Sequence, residues 1–136
     1  MIPGLGAATS GLNAAQTRVQ TSAANVANAR SVGAEDADGP ARTDEGRNAF
    51  RPQRVVQEAS ETGGVRTDTA PVRPTSVQQF RPDAPDANDR GLVNRPNVSF
   101  VQETTTQIEA RAQFSANLST IDRATEMRES LLDINL

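Results

Sequence analysis

Leu5-Gly6-Ala7-Ala8-Thr9-Ser10-Gly11-Leu12-Asn13-Ala14-Ala15-Gln16-Thr17-Arg18-Val19-Gln20-Thr21-Ser22-Ala23-Ala24-Asn25-Val26-Ala27-Asn28-Ala29-Arg30 decides the fold. Leu5, Leu12, Val19 and Val26 recur every seven residues, with Ala8, Ala15, Ser22 and Ala29 between them. That spacing predicts an a/d seam of more than three heptads on one helix, roughly 38 Å long at 1.5 Å per residue. Its d positions are small and one is Ser, so each turn buries little apolar surface. A partner helix must supply the bulk, and the isolated helix is marginal.

The partner is predicted at the other end. From about Val101 onward there is no Gly or Pro. At 100° per residue Ala110, Phe114, Leu118, Ile121, Ala124, Leu131 and Leu132 fall on one face, a stripe wide enough to meet the N-terminal seam. Val101, Ile108 and Ala112 lie opposite, so the helix presents apolar groups on two sides, which suits an assembly better than a monomer. Between the helices, residues 31 to 95 hold 6 of the 8 prolines and most of the glycines. Arg54-Val55-Val56-Gln57 and Gly64-Val65-Arg66-Thr67, separated by Glu61-Thr62-Gly63, read as a hairpin, and Ser76-Val77-Gln78-Gln79-Phe80 as a strand that extends it. The stretch from Arg81 to Gly91 reads as extended chain and turn. The expected fold is mainly α with a small β-containing insert. A coiled-coil helix at 1–30 packs antiparallel on another at 101–136, around a Pro/Gly-rich middle at 31–100.

Composition restricts the chemistry. The 136 residues include no His, Cys, Trp or Tyr, and all 14 basic residues are Arg. Nucleophile and base pairs built on Cys, His or Lys are therefore absent, as are thiolate and imidazole metal sites and Schiff-base chemistry. Leu, Ile, Val and Phe number 26, about 19% of the chain, whereas Ala alone numbers 20. Such a chain packs helices closely through small side chains instead of building a thick core. Four aromatic residues and a net charge of −3 give neither a stacking platform nor a basic patch, so no nucleic-acid partner is expected. No apolar run reaches 18 residues, so nothing is expected to span a membrane. The N-terminus lacks the cationic start and apolar stretch of a cleaved secretory signal.

The acidic residues lie on helices among Arg and Gln or in Pro/Gly-rich turns. Paired-carboxylate hydrolysis needs two carboxyls held across a cleft with their pKa values pushed apart, and no such pair can be named. Asp86-Ala87-Asn88-Asp89-Arg90-Gly91 has calcium-loop residues, but Arg90 fills the fifth position and Asn97 the twelfth, so turn formation explains it better. Asp36-Ala37-Asp38-Gly39 shares the weakness. Neither cofactor, metal, catalytic residue nor small-molecule substrate is expected. Asn28, with Gly33 following, reads as a helix-exit residue that tolerates a left-handed turn. Asn25, beside Val26, reads as an amide that hydrogen-bonds across a helix interface, where leaving it unpaired would be costly.

Two runs carry a resemblance. Gly11-Leu12-Asn13-Ala14-Ala15-Gln16-Thr17-Arg18 with Ala23-Ala24-Asn25-Val26-Ala27-Asn28 closely resembles the signature of the axial proteins of the bacterial flagellum. Gln107-Ile108-Glu109-Ala110-Arg111-Ala112-Gln113-Phe114-Ser115-Ala116-Asn117, and Ala124-Thr125-Glu126-Met127 ahead of Leu131-Leu132-Asp133-Ile134, resemble the partner motif in the same order. Phe50-Arg51-Pro52-Gln53-Arg54-Val55-Val56, Gly63-Gly64-Val65, Pro82 with Pro85-Asp86-Ala87, and Gly91 with Pro96-Asn97-Val98 are similar to the short proximal-rod branch, type C, of the flagellar basal-body rod proteins. Phe114 and Leu92 stand where members commonly place Tyr, and Ala24 where Asn is frequent. The resemblance implies a structural subunit of the proximal rod that assembles helically, transmits torque from motor to hook, and contacts itself and other rod proteins. It also implies passage through the flagellar type III export apparatus without a cleaved signal, to a rod that crosses the periplasm. The alternative from the pattern alone is a small coiled-coil adaptor unrelated to motility. In either case the expected interface residues are Leu5, Leu12, Val19, Asn25, Val26, Asn28, Ile108, Phe114, Asn117, Leu118, Ile121, Leu131 and Leu132.

Overall fold

The computed structural model describes residues 3–33, 49–61 and 63–133. The Asp36–Gly39 turn, Thr62 of the hairpin loop and Ile134 of the C-terminal motif lie outside the described residues. Six elements follow in order: α1 (Pro3–Asn28), β1 (Gln53–Ala59), β2 (Val65–Pro71), β3 (Ser76–Phe80), β4 (Leu92–Pro96) and α2 (Phe100–Asp133).

The helices start and stop for local reasons. Ser99 accepts the Gln102 N–H on its hydroxyl (3.4 Å) and the Glu103 N–H on its carbonyl (2.9 Å), which places it as the N-cap of α2. Thr9, Thr17, Thr104, Thr105, Ser119, Thr120 and Thr125 each return their hydroxyl to the carbonyl four residues back, so polar side chains sit within the helices without needing outside partners. At the end of α1, Asn28 Nδ2 donates to the Ala24 carbonyl (2.9 Å), and the Ser31 N–H and hydroxyl both donate to the Asn28 carbonyl. The left-handed exit expected at Asn28 does not occur, since no described non-glycine residue has a positive φ. The helix closes by right-handed turn bonds instead.

β1 and β2 form the antiparallel hairpin, in register from Gln53↔Pro71 to Ala59↔Val65. Gly63 and Gly64, with φ of 88° and 87°, turn the chain in a conformation that L side chains avoid. The expectation that β3 extends this hairpin is corrected. β3 pairs with β4 as a separate two-stranded sheet, from Ser76↔Pro96 to Phe80↔Leu92. Pro71 and Pro74 explain the break, because neither has an N–H to continue a ladder from β2. Leu92–Pro96 escaped the sequence reading as a strand, since Asn94, Arg95 and Pro96 disguise it, yet Val93 is fully buried. Gly33 joins this second sheet at its β4 edge, exchanging two backbone hydrogen bonds with Asn94 (3.0 and 2.9 Å).

The hairpin lies lengthwise on α1. Asn25 holds Gln53 at the start of β1, while the Ser10 hydroxyl accepts the Val65 N–H (3.0 Å) just past the hairpin loop. Fifteen helical residues separate Ser10 from Asn25, roughly 22 Å, and a seven-residue strand covers roughly 23 Å. The match of rises lets the hairpin be fixed to one helix at both of its ends, through β1 at Gln53 and through β2 at Val65.

The buried apolar residues are Ala8, Ala14, Ala15, Ala29, Ala49, Val93, Val98, Ala110 and Ala124 among the described residues. Seven of these nine are alanine, and no Leu, Ile, Phe or Met is among them. Conversely Phe80, Val101, Ile108, Met127, Leu131 and Leu132 are all more than 60% exposed.

Candidate assembly interface

The helices run antiparallel, as their contacts show. Gly11 faces Asn117, Arg18 reaches Gln113 (2.9 Å) and Glu109 (3.7 Å), Ser22 meets Gln107 and the Glu103 carbonyl, and Asn25 meets Glu103. The covered seam of α1 is thus Ala8, Gly11, Ala15, Arg18, Ser22, Asn25 and Ala29. It retains the four small d positions but replaces the expected Leu/Val row, a rotation of roughly 60° at 100° per residue. Small side chains allow close approach: a Cβ on Gly11 would stand 2.6 Å from Asn117 Nδ2. Polar side chains then fix the register, since each pairing works at only one offset.

The centre of the site is a three-way polar joint. Asn25, 1% exposed, donates through Nδ2 to the Gln53 carbonyl (2.7 Å) and to Glu103 Oε1 (2.8 Å), and its Oδ1 accepts the Gln53 N–H (3.0 Å). One buried amide therefore binds α1 to the first residue of β1 and the first turns of α2. Ser22, also 1% exposed, stands beside it, donating to the Glu103 carbonyl (3.1 Å) and accepting from Gln107 Nε2 (3.1 Å). At the other end of the hairpin, a Cβ on Gly64 would run into the Ser10 hydroxyl and come within 3.1 Å of Ala7 Cα. Only glycine permits the loop to close on the helix there.

Of the residues expected at interfaces, Asn25 is buried in this joint and Asn117 is half-buried over Gly11. Leu5, Leu12, Val19 and Val26 are half-buried on the flank of the seam, as is Ile121 on α2. Asn28 is half-buried and bonds within its own helix. Ile108, Phe114, Leu118, Leu131 and Leu132 remain exposed, Phe114 and Leu118 at 41% and 45%. Sequence reasoning missed Gly11, Arg18, Gln53, Glu103, Gln107 and Gln113. The seven-residue recurrence of Gly11, Arg18 and Asn25 was the available signal, but polar and small residues do not register as a seam when the eye follows aliphatic ones.

Because the contacts advance residue for residue in opposite directions, the N-terminal turn of α1 falls opposite Ala124, the last buried residue of α2. The final nine residues of α2, 125–133, extend past it by roughly 13 Å. No group of three or more His, Cys, Asp or Glu side chains that could hold a metal ion occurs among the described residues, and no described helix is long and apolar enough to cross a membrane.

Two long helices, a small-residue seam, polar register locks and abundant exposed aliphatic surface define an assembling structural subunit. Similarity to known proteins gives its kind. Residues 89–134 match the family described as "Flagellar basal body rod FlgEFG protein C-terminal". The chain is 34% identical to the Yersinia enterocolitica "Flagellar basal-body rod protein FlgC" over 83% of its own length and 81% of that protein. It is 30% identical to the protein of the same name from Agrobacterium fabrum (strain C58 / ATCC 33970), over 92% of this chain and 88% of the relative. The chain belongs to the family of FlgC-type flagellar basal-body rod proteins, structural proteins of the rod.

Proposed function

We propose that this chain is a proximal-rod subunit that polymerises helically with its own copies and with other rod proteins to carry torque from motor to hook. One observation carries the reading: among the described residues the buried apolar side chains are seven alanines and two valines, while eight large apolar residues of α2 stand exposed. Each buried methyl contributes about 0.8 kcal/mol, against about 1.5–3 kcal/mol for a fully buried Leu or Phe, so the apolar stabilisation available from these exposed side chains is unrealised in a single copy. Neighbouring subunits are the natural place to realise it. The heptad spacing of the covered seam supports coiled-coil pairing of α1 and α2, with 31–100 as the bridging middle region. Of the thirteen residues named from the sequence, Asn25 and Asn117 act within the subunit, the exposed Ile108, Phe114, Leu118, Leu131 and Leu132 between subunits, and the half-buried Leu5, Leu12, Val19, Val26, Asn28 and Ile121 at the boundary. Catalysis has no part in this function.

A helix pair this thinly stabilised orders fully only on assembly, which keeps the free chain competent for export through the flagellar type III apparatus without a cleaved signal. Circular dichroism of the dilute chain tests this, with partial helicity and a broad melt as the expected result. A fully helical, cooperatively melting monomer contradicts it. Deleting the gene tests the function: loss of flagella with hook subunits unassembled supports the rod role, and intact swimming favours the adaptor alternative.

A further inference from the structure

Two of the apolar surfaces that the fold leaves uncovered are complementary in form. One is the overhang at 125–133, where Met127, Leu131 and Leu132 are 62%, 63% and 69% exposed. The other is an open groove of about 300 Å³ on the flank of the helix pair, lined by Ala15, Gln16, Val19, Ala110, Arg111 and Phe114. On a helical wheel this flank lies on the side of α1 away from Ala7, Ser10 and Asn25, which hold the hairpin.

We propose, building on the rod-subunit reading, that the α2 overhang of one copy lies in this flank groove of the next copy. Three observations select a second copy as the occupant. First, the covered seam of α2 recurs every seven residues through Glu103, Ala110, Asn117 and Ala124, and Leu131 is the next position on it, beyond the reach of α1. The overhang is thus the continuation of an interface already made. Second, charge complements: residues 125–133 carry Glu126, Glu129 and Asp133 against Arg128, a net −2, while the groove has Arg111 at its rim and α1 contributes no acidic residue. Third, with copies parallel and displaced along the helix axis, knob meets groove head to tail, and each copy keeps a free groove and a free overhang for the next. Placing Leu131 beside the groove midpoint near Ala112 relates successive copies by a shift of about 28 Å along the helix axes.

The native chain has no cysteine, so engineered thiols report without background. Within one copy Gln16 and Leu132 are separated by about twenty helical rises, roughly 30 Å, far beyond the ~7 Å Cα separation a disulfide allows. Any bond between them joins two copies. Chains carrying Gln16→Cys with Leu132→Cys, and separately Arg111→Cys with Leu132→Cys, are oxidised in cells whose single-cysteine parents swim. Disulfide-linked dimers and ladders are expected at ten times or more the yield of the control pair Ser119→Cys with Leu132→Cys, because position 119 faces away from the groove. Absence of the bond from both test pairs in swimming cells overturns the docking while leaving the rod function intact. Equal linkage of the control, or Leu132→Cys linking only to its own counterpart, overturns it as well. Should the variants fail to swim, the same oxidation of the purified full-length chain at high concentration decides between docking and its absence by the same yields, while loss of the rod reading shows separately in the gene deletion.

Discussion

The two helices differ in ways that secondary structure alone would hide. α1 has one charged residue, Arg18, among its 26, and α2 has nine among 34. The exposed residues of α1 include Thr9, Asn13, Gln16, Gln20, Ala23, Ala24 and Ala27, all small or uncharged. A surface helix facing bulk water normally carries charge on its outer face. α1 does not, although it is already covered by α2 on one side and the hairpin on another, whereas the extensive packing of α2 is with α1 alone. The comparison separates two kinds of open surface: that of α1 is small and uncharged, whereas α2 interleaves its charges with exposed Val101, Ile108, Phe114, Leu118, Met127, Leu131 and Leu132. On the proposed assembly the uncharged side of α1 is the one to be enclosed.

The sharpest way to break this contrast is to charge the open face of each helix in turn. Ala24→Glu on α1 should abolish swimming, and Ala116→Glu, on the α2 side that carries Glu109 and Arg123, should leave swimming near normal in a soft-agar assay; equal effects would erase the distinction. Next in size is the polar joint. Asn25→Leu strips partners from the Gln53 N–H, the Gln53 carbonyl and Glu103, and should cost about 3 kcal/mol or more, read as a fall in the urea midpoint of the concentrated chain. Gly11→Leu should cost about 1–3 kcal/mol by forcing the seam apart at Asn117, whereas Gly11→Ala should lie near zero. In the Ala variant a helix-propensity gain of about 1 kcal/mol offsets the displaced amide. Gly64→Ala should cost about 1–2 kcal/mol from its positive φ and its collision with Ser10, and adding Ser10→Ala should relieve only part of that. The smallest effect is Arg123→Ala. Its ion pair with Glu126 has side chains 78% and 63% exposed, so a change of no more than a few tenths of a kcal/mol is expected.

Much of the architecture was legible. Pro-free heptads at the N-terminal end and a Gly- and Pro-free stretch at the other located the helices, and β-branched runs around Gly63-Gly64 located the hairpin. The separate second sheet was not legible, because β4 contains Asn94, Arg95 and Pro96, and its pairing with β3 is set across an eleven-residue connection. Helix rotation was hidden for a different reason. The aliphatic row Leu5, Leu12, Val19 and Val26 is the stronger hydrophobic signal, yet the close-packed seam formed one step round, where small residues let backbones approach and polar groups find partners. Asn25 as a cross-interface amide was legible, but not that its partners would be Gln53 and Glu103, 28 and 78 residues away.

By itself the sequence determined the helical ends, the insert between them, the absence of Cys, His and Lys chemistry, and a shortage of bulky apolar residues too great for a finished core. Those properties follow from residue types and their local periods. Only the tertiary structure decided which face of α1 meets α2, that one buried amide joins three elements, and that α2 outruns its partner to leave Met127, Leu131 and Leu132 in solvent. These depend on the offset between two helices, and an offset is chosen by which polar pairs and small-residue contacts can be satisfied together, a condition no single helix expresses alone.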